Sequence, residues 1–184
     1  MKPDAECRVC KGPALRKGLL SQCVASKCAA AHWDKTAIKK KIISVGDDAE
    51  KGKQARQKIL LDAGVSSDFQ KAKNHHFVYV LRLRGKPANS VYVGMTGLHP
   101  HERYLNHLWG YKSSATAHKR ATAMVKFEGP VSYAEAKERE TGLAEELEGK
   151  GYVVTQKSGL GSGLGLGPGL GLGLGLGSGS ECTS

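Results

Sequence analysis

Two short apolar runs, each centred on a tyrosine, constrain the fold of this chain more than any other feature. One surrounds Tyr79 (Phe77-Val78-Tyr79-Val80) and the other Tyr92 (Val91-Tyr92-Val93-Gly94), and both are rich in β-branched and aromatic residues. The loop between them holds Gly85, Pro87 and Asn89. Such runs bounded by turn formers predict a β-hairpin. After Gly94 come Thr96 and Gly97, and a helix is predicted from about Pro100, a residue suited to a first helical turn. On that helix Arg103 and His107 stand four residues apart and so share one face. Tyr104, Leu105 and Leu108 point elsewhere and supply packing. A tyrosine pair on adjacent strands facing an Arg/His pair exceeds what a core requires. These residues are read as a site.

The chain after the hairpin adds to it. Gly110 to Thr122 is small and basic, with Lys112, His118, Lys119 and Arg120, and suits a short helix or a loop along a phosphate backbone. Met124-Val125-Lys126-Phe127 alternates like a third strand, which Gly129-Pro130 is expected to end. Ser132-Tyr133-Ala134-Glu135 fits a capping box opening a helix that Gly149 and Gly151 close. Tyr133, Ala136, Leu143 and Leu147 form one stripe at helical spacing, with Glu140 in its middle. Glu138 and Glu145 fall on the opposite face, where charge costs little. A carboxylate on the packed side is expensive unless it is paired or bound to a cation. Glu140 therefore calls for a metal ion or an arginine, for which Arg103 is the available partner. Gly151-Tyr152-Val153-Val154 suits a last short strand.

These residues resemble the GIY-YIG nuclease superfamily. Phe77-Val78-Tyr79 and Tyr92-Val93-Gly94 occupy the places of its two name motifs, Arg103 and His107 match its first helix, and Glu140, after Ala136, matches its metal-binding glutamate. Phe77 stands where glycine is usual, and the asparagine many members carry near the final strand is not found. The resemblance implies an α/β (α+β) domain over about residues 74–155, with a small, mainly antiparallel three-stranded sheet flanked by helices. It also implies a metal-dependent DNA endonuclease, in which Tyr79 is the general base and Tyr92 orients water or phosphate. Arg103 would hold the phosphate, with His107 helping to tune Tyr79. Glu140 would carry one Mg²⁺ or Mn²⁺, since a single carboxylate plus waters suits a hard ion. Gly94 would let the backbone come close, and Thr96, Lys112 and Lys119 are read as further substrate contacts. The competing reading is a non-catalytic nucleic-acid-binding protein on the same scaffold.

The remainder of the chain fits polyanion partners. Lys and Arg number 28 against 17 Asp and Glu, a formal net charge of +11. That surplus favours DNA, with RNA also open, over membranes, because no apolar span of membrane length and no signal-peptide core is present. A reducing, cytoplasmic location is therefore expected, with nucleoid association open to a DNA binder. Four of the five cysteines, Cys7, Cys10, Cys23 and Cys28, fall in the first 33 residues. In a reducing compartment this predicts a structural Zn²⁺ module more than disulfides, with His32 as an alternative ligand and free thiols as the other outcome. Residues 34–73 read as a basic, mostly helical connector with breaks at Gly46 and Gly64. Residues 156–184 are Gly/Leu-rich, with the isolated Cys182, and are expected to be disordered, since glycine offers no packing and maximal backbone entropy. The nuclease scaffold that these residues resemble serves repair, restriction and mobile-element roles alike.

Overall fold

The computed structural model describes residues 5–25, 28, 30–65 and 75–156. The Gly/Leu tail from 157 on, with Cys182, and the connector's residues 66–73 lie outside the described residues. Eight strands form one sheet: β1 (Ala5–Glu6), β2 (Pro13–Lys17), β3 (Leu20–Cys23), β4 (Ala31–Trp33), β5 (His76–Leu83), β6 (Ser90–Thr96), β7 (Ala121–Val131) and β8 (Val153–Gln156). Their order is β1-β2-β3-β4-β7-β5-β6-β8.

The three-stranded sheet expected from the sequence needs correction. Strands β7, β5 and β6 form its centre, but neither outer edge is left open. On one side β4 pairs antiparallel with β7 through Ala31 opposite Met124. On the other, β8 runs parallel to β6, from Ser90 opposite Val153 to Val93 opposite Gln156. Both additions cover backbone groups that would otherwise offer a pairing edge to other chains. β4 is further anchored by Trp33, which is fully buried and donates its indole N–H to the His101 carbonyl at 3.1 Å.

Helices α1 (Lys35–Val45), α2 (Ala49–Asp62), α3 (Pro100–Trp109) and α4 (Ala115–Arg120) send Ile38, Ile59, Leu105 and Ala117 into one core with Tyr79, Leu81 and Tyr92. α5 (Tyr133–Gly149) packs Ala136, Leu143 and Ala144 on the other face, against Val78, Val80, Val91 and Val93. The segregation follows from the period-2 alternation of β5 and β6. The side chains of Asp34, Asp48, Ser114 and Ser132 each cap a helix by accepting a backbone N–H three residues on. A third, small cluster holds Cys7, Cys23, Ala14 and Ala30.

Three local expectations change. β7 does not stop at Gly129-Pro130 but continues to Val131. Gly129 has φ of 122°, and a Cβ there would lie 2.6 Å from the His76 carbonyl oxygen. The glycine preserves strand pairing. Tyr133 leaves the apolar stripe: it is 57% exposed, its ring edge-on to His76 at 5.3 Å. Of the capping box, Ser132 accepts from the Glu135 N–H at 3.2 Å, while the Glu135 carboxylate takes Arg139 at 2.7 Å. Among the described residues no helix is long and apolar enough to cross a membrane.

Candidate functional site

Tyr79 and Gly94 are cross-strand partners in the β5–β6 ladder, and Tyr92 lies two residues before Gly94 on the same face. The tyrosine rings are 6.2 Å apart between centroids. A Cβ on residue 94 would come within 2.9 Å of both Tyr79 Oη and a Tyr92 ring carbon. Real Cβ contacts are not that close, so only glycine lets both rings lie over this strand. α3 enters above them, its axis fixed by Pro100 in the first turn and by Gly110, left-handed at φ 87°, at its end.

Spacing along α3 does what the i, i+4 pattern implies. His107 Nε2 lies 2.7 Å from Tyr79 Oη, and Arg103 Nε donates to the same oxygen at 3.4 Å. Arg103 also donates to the Lys112 carbonyl at 2.9 Å, which ties the guanidinium to the loop after α3. On its other side His107 Nδ1 lies 2.8 Å from Ser113 Oγ. Ser113 in turn donates its hydroxyl to the Ser114 carbonyl at 3.0 Å. If the Ser113 proton goes to that carbonyl, Ser113 Oγ accepts from His107 Nδ1–H. In that tautomer, one of the two these distances allow, Nε2 accepts the Tyr79 hydroxyl proton. Neither serine stood out in the sequence. The only signal was a Ser-Ser step ahead of α4, where Ser114 caps the helix.

Burial governs the electrostatics. Tyr79 and His107 are fully buried. Burial, and then the neighbouring Tyr92, push the Tyr79 phenol well above its usual range, and Arg103 pulls only partly against them. Tyr92 is raised for the same first reason, with Arg103 opposing and the Glu140 carboxylate adding to the rise. Glu140 is half-buried on α5, which packs against the valine face, yet its charge registers at Tyr92. Thr96 is buried and its hydroxyl accepts from Leu98 N–H at 3.0 Å, so it shapes the β6–α3 turn. Lys112 is exposed and reaches the site only through its carbonyl, while Lys119 lies exposed on α4.

The four cysteines converge at the other end of the sheet. Their sulfurs all lie within 4.8 Å of one another, with Cys7–Cys28 at 3.6 Å and Cys10–Cys23 at 3.5 Å. A tetrahedral Zn²⁺ with 2.3 Å bonds sets sulfurs roughly 3.8 Å apart, so the cluster could hold such an ion with little movement. The four sulfurs form the set without His32, whose Nε2 sits 3.4 Å from Cys7 Sγ as a hydrogen-bond partner. The Gly12 N–H, then Cys23, bring the Cys10 thiol down to about 7, whereas burial pushes Cys23 up to about 12. Left without a cation, such a cluster cannot ionise as a unit.

Comparison of the chain with known family models, with characterised proteins and with solved structures found no match.

Proposed function

We propose that this chain is a metal-dependent nuclease of GIY-YIG type that hydrolyses phosphodiester bonds in DNA, with a zinc-loaded cysteine cluster serving structure. The observation that carries the reading is the meeting at one oxygen, Tyr79 Oη, of an arginine donor at 3.4 Å and a histidine acceptor at 2.7 Å, across from Tyr92 and over Gly94. Core packing has no use for that arrangement.

In this reading Arg103 grips the phosphate, a fork of fixed charge that is strongest in a water-poor site. A phenol this far above its usual pKa does not shed its proton to solvent at neutral pH. His107 supplies the route: Nε2 takes the phenol proton while Tyr79 Oη takes one from the attacking water. A new P–O bond forms, the bond to the 3′ oxygen breaks, and that oxygen is protonated from solvent. Glu140 would hold Mg²⁺ or Mn²⁺ through its one carboxylate, with waters and substrate phosphate completing the shell of a hard ion. Such an ion would offset charge on the leaving oxygen.

One observation favours the second reading, a non-catalytic nucleic-acid-binding scaffold: Tyr79 and His107 are sealed from solvent. A nicking assay on supercoiled plasmid with Mg²⁺ or Mn²⁺ separates the two. The wild type should nick, Tyr79→Phe should slow it by about 10²-fold or more, and Glu140→Ala should abolish metal-dependent cutting. Salt-dependent binding with no cleavage of plasmid, branched or single-stranded DNA would establish the scaffold reading instead.

For the zinc cluster, chelation should loosen β1–β3, whose cysteines form their own small core, and leave the β5–β6–α3 core protected. Amide exchange before and after a strong chelator measures this. Collapse of protection in β5 and α3 as well would show that the metal holds the entire sheet.

A further inference from the structure

A second basic feature lies away from the tyrosines, where the cysteine end of the sheet meets the β5–β6 turn. A solvent-open cavity of about 590 Å³ is lined by Arg8, Lys35, Arg82 and Arg84, together with His32 and Thr122, and no carboxylate lines it. The four cations come from three separate parts of the chain: the β1–β2 connection, the first residue of α1, and the end of β5. Among the described residues none of the four makes an ion pair, whereas Arg16, Lys51, Lys58, Lys126, Arg139 and Lys150 each do.

The backbone presenting the two arginines is pinned. Arg84 N–H donates to the Arg120 carbonyl at 2.8 Å, and Arg120 Nε returns a bond to the Arg84 carbonyl at 2.9 Å. Thr122 Oγ1 donates to the Arg82 carbonyl at 3.1 Å. His32, 3% exposed, has no partner for Nδ1 among the described residues. Lys35 is held down to about 8, by burial first and then by the Arg84 and Arg8 charges. Like charges have been brought together around this cavity, and no carboxylate is among the residues that line it.

We propose that this cavity is a phosphate-binding site, distinct from the tyrosine site. Arginine forks match phosphate oxygens two at a time, and the volume is about twentyfold the roughly 30 Å³ share of one water, leaving room for a phosphate group and its hydration. The phosphate belongs either to a nucleic-acid strand or to a free phosphorylated small molecule. The site concerns binding alone and does not depend on whether the tyrosine site cuts.

The test compares the full-length wild type, Arg82→Ser/Arg84→Ser, and a control, Lys39→Ser/Lys40→Ser, on the exposed side of α1. Fluorescence anisotropy with a labelled DNA duplex across a KCl series forms one arm. Thermal melting with and without millimolar pyrophosphate forms the other. A strand phosphate in the cavity predicts that the arginine variant loses about tenfold in affinity, and that its log–log salt slope is shallower by about two, while the control changes far less. A free phosphorylated ligand predicts unchanged DNA binding, but a pyrophosphate-induced rise in melting temperature that the arginine variant lacks and the control keeps. An arginine variant that matches the wild type in both arms overturns the proposal, as does a control that falls equally far. Circular dichroism of each variant shows that the fold survives.

Discussion

The two faces of the β5–β6 hairpin are made from alternate residues of the same strands, yet they place different demands on the sequence. The face under α5 is all valine at its centre, with Val78, Val80, Val91 and Val93 packed on Ala136, Leu143 and Ala144. It needs volume and nothing else. The face under α3 carries Tyr79, Tyr92 and Gly94, and it buries hydroxyls, an imidazole and part of a guanidinium in the same space. The polar atoms of Tyr79, Arg103 and His107 meet there at set distances, because an unmade bond in a dry core costs about 1–3 kcal/mol. One strand pair thus supports an interchangeable core on one side and a constrained one on the other.

That contrast can be broken most forcefully with acid. His101, on α3, is buried beside His99 and Phe127, and burial first, then the His99 charge, hold it down to about 4. Its folded pKa is below the ordinary His value, so the unfolded chain binds a proton that the fold refuses. Stability is therefore fully present above about pH 6.5 and is lost as pH falls toward 4, by about 3 kcal/mol. Urea midpoints between pH 7 and 4.5 should drop for the wild type and flatten for His101→Leu; parallel curves would remove His101 as the cause. Next in size, Val93→Ala should cost about 2.5 kcal/mol from lost burial and a residual cavity, with the cleavage rate per folded molecule unchanged. Its neighbour offers the sharpest contrast. Gly94→Ala adds one methyl, and should cost about 2 kcal/mol from overpacking against both tyrosines while also suppressing cleavage. If the two variants lost activity equally, the faces would not be separate in function.

Much of the aromatic face was legible because its rules are local. A hairpin follows from β-branched runs around turn residues, and an i, i+4 pair must share a helix face, so Tyr79, Arg103 and His107 meet as their spacing requires. Glu140 was legible as a costly carboxylate, but the valine face that α5 packs on was not, because which face of the sheet a helix covers is decided by a crossover rather than by its own periodicity. Ser113 was invisible for a related reason. Its partner, His107, is set by a turn around Gly110 whose path no short pattern records. The eight-stranded sheet was the largest omission. Strands of two to five residues carry too few alternations to register as a period, and the β4–β7 pairing joins segments that no local rule connects. Tyr133 misled in the other direction: the helical stripe was real, but at the first residue of α5 the sheet no longer lies beneath it.

The pairing of Ala31 with Met124 also sets a timetable. During synthesis the cysteine-bearing strands leave the ribosome first, and the strand that covers β4 follows roughly five to twenty seconds later at ordinary elongation rates. For that interval β4 is an open edge carrying Trp33, the kind of surface on which nascent chains stick to one another. A metal ion captured early by Cys7, Cys10, Cys23 and Cys28 would hold β1–β3 in register while β4 waits for its neighbour. The cysteine cluster would then matter to the yield of soluble chains as well as to the register of β1–β3 in the finished molecule.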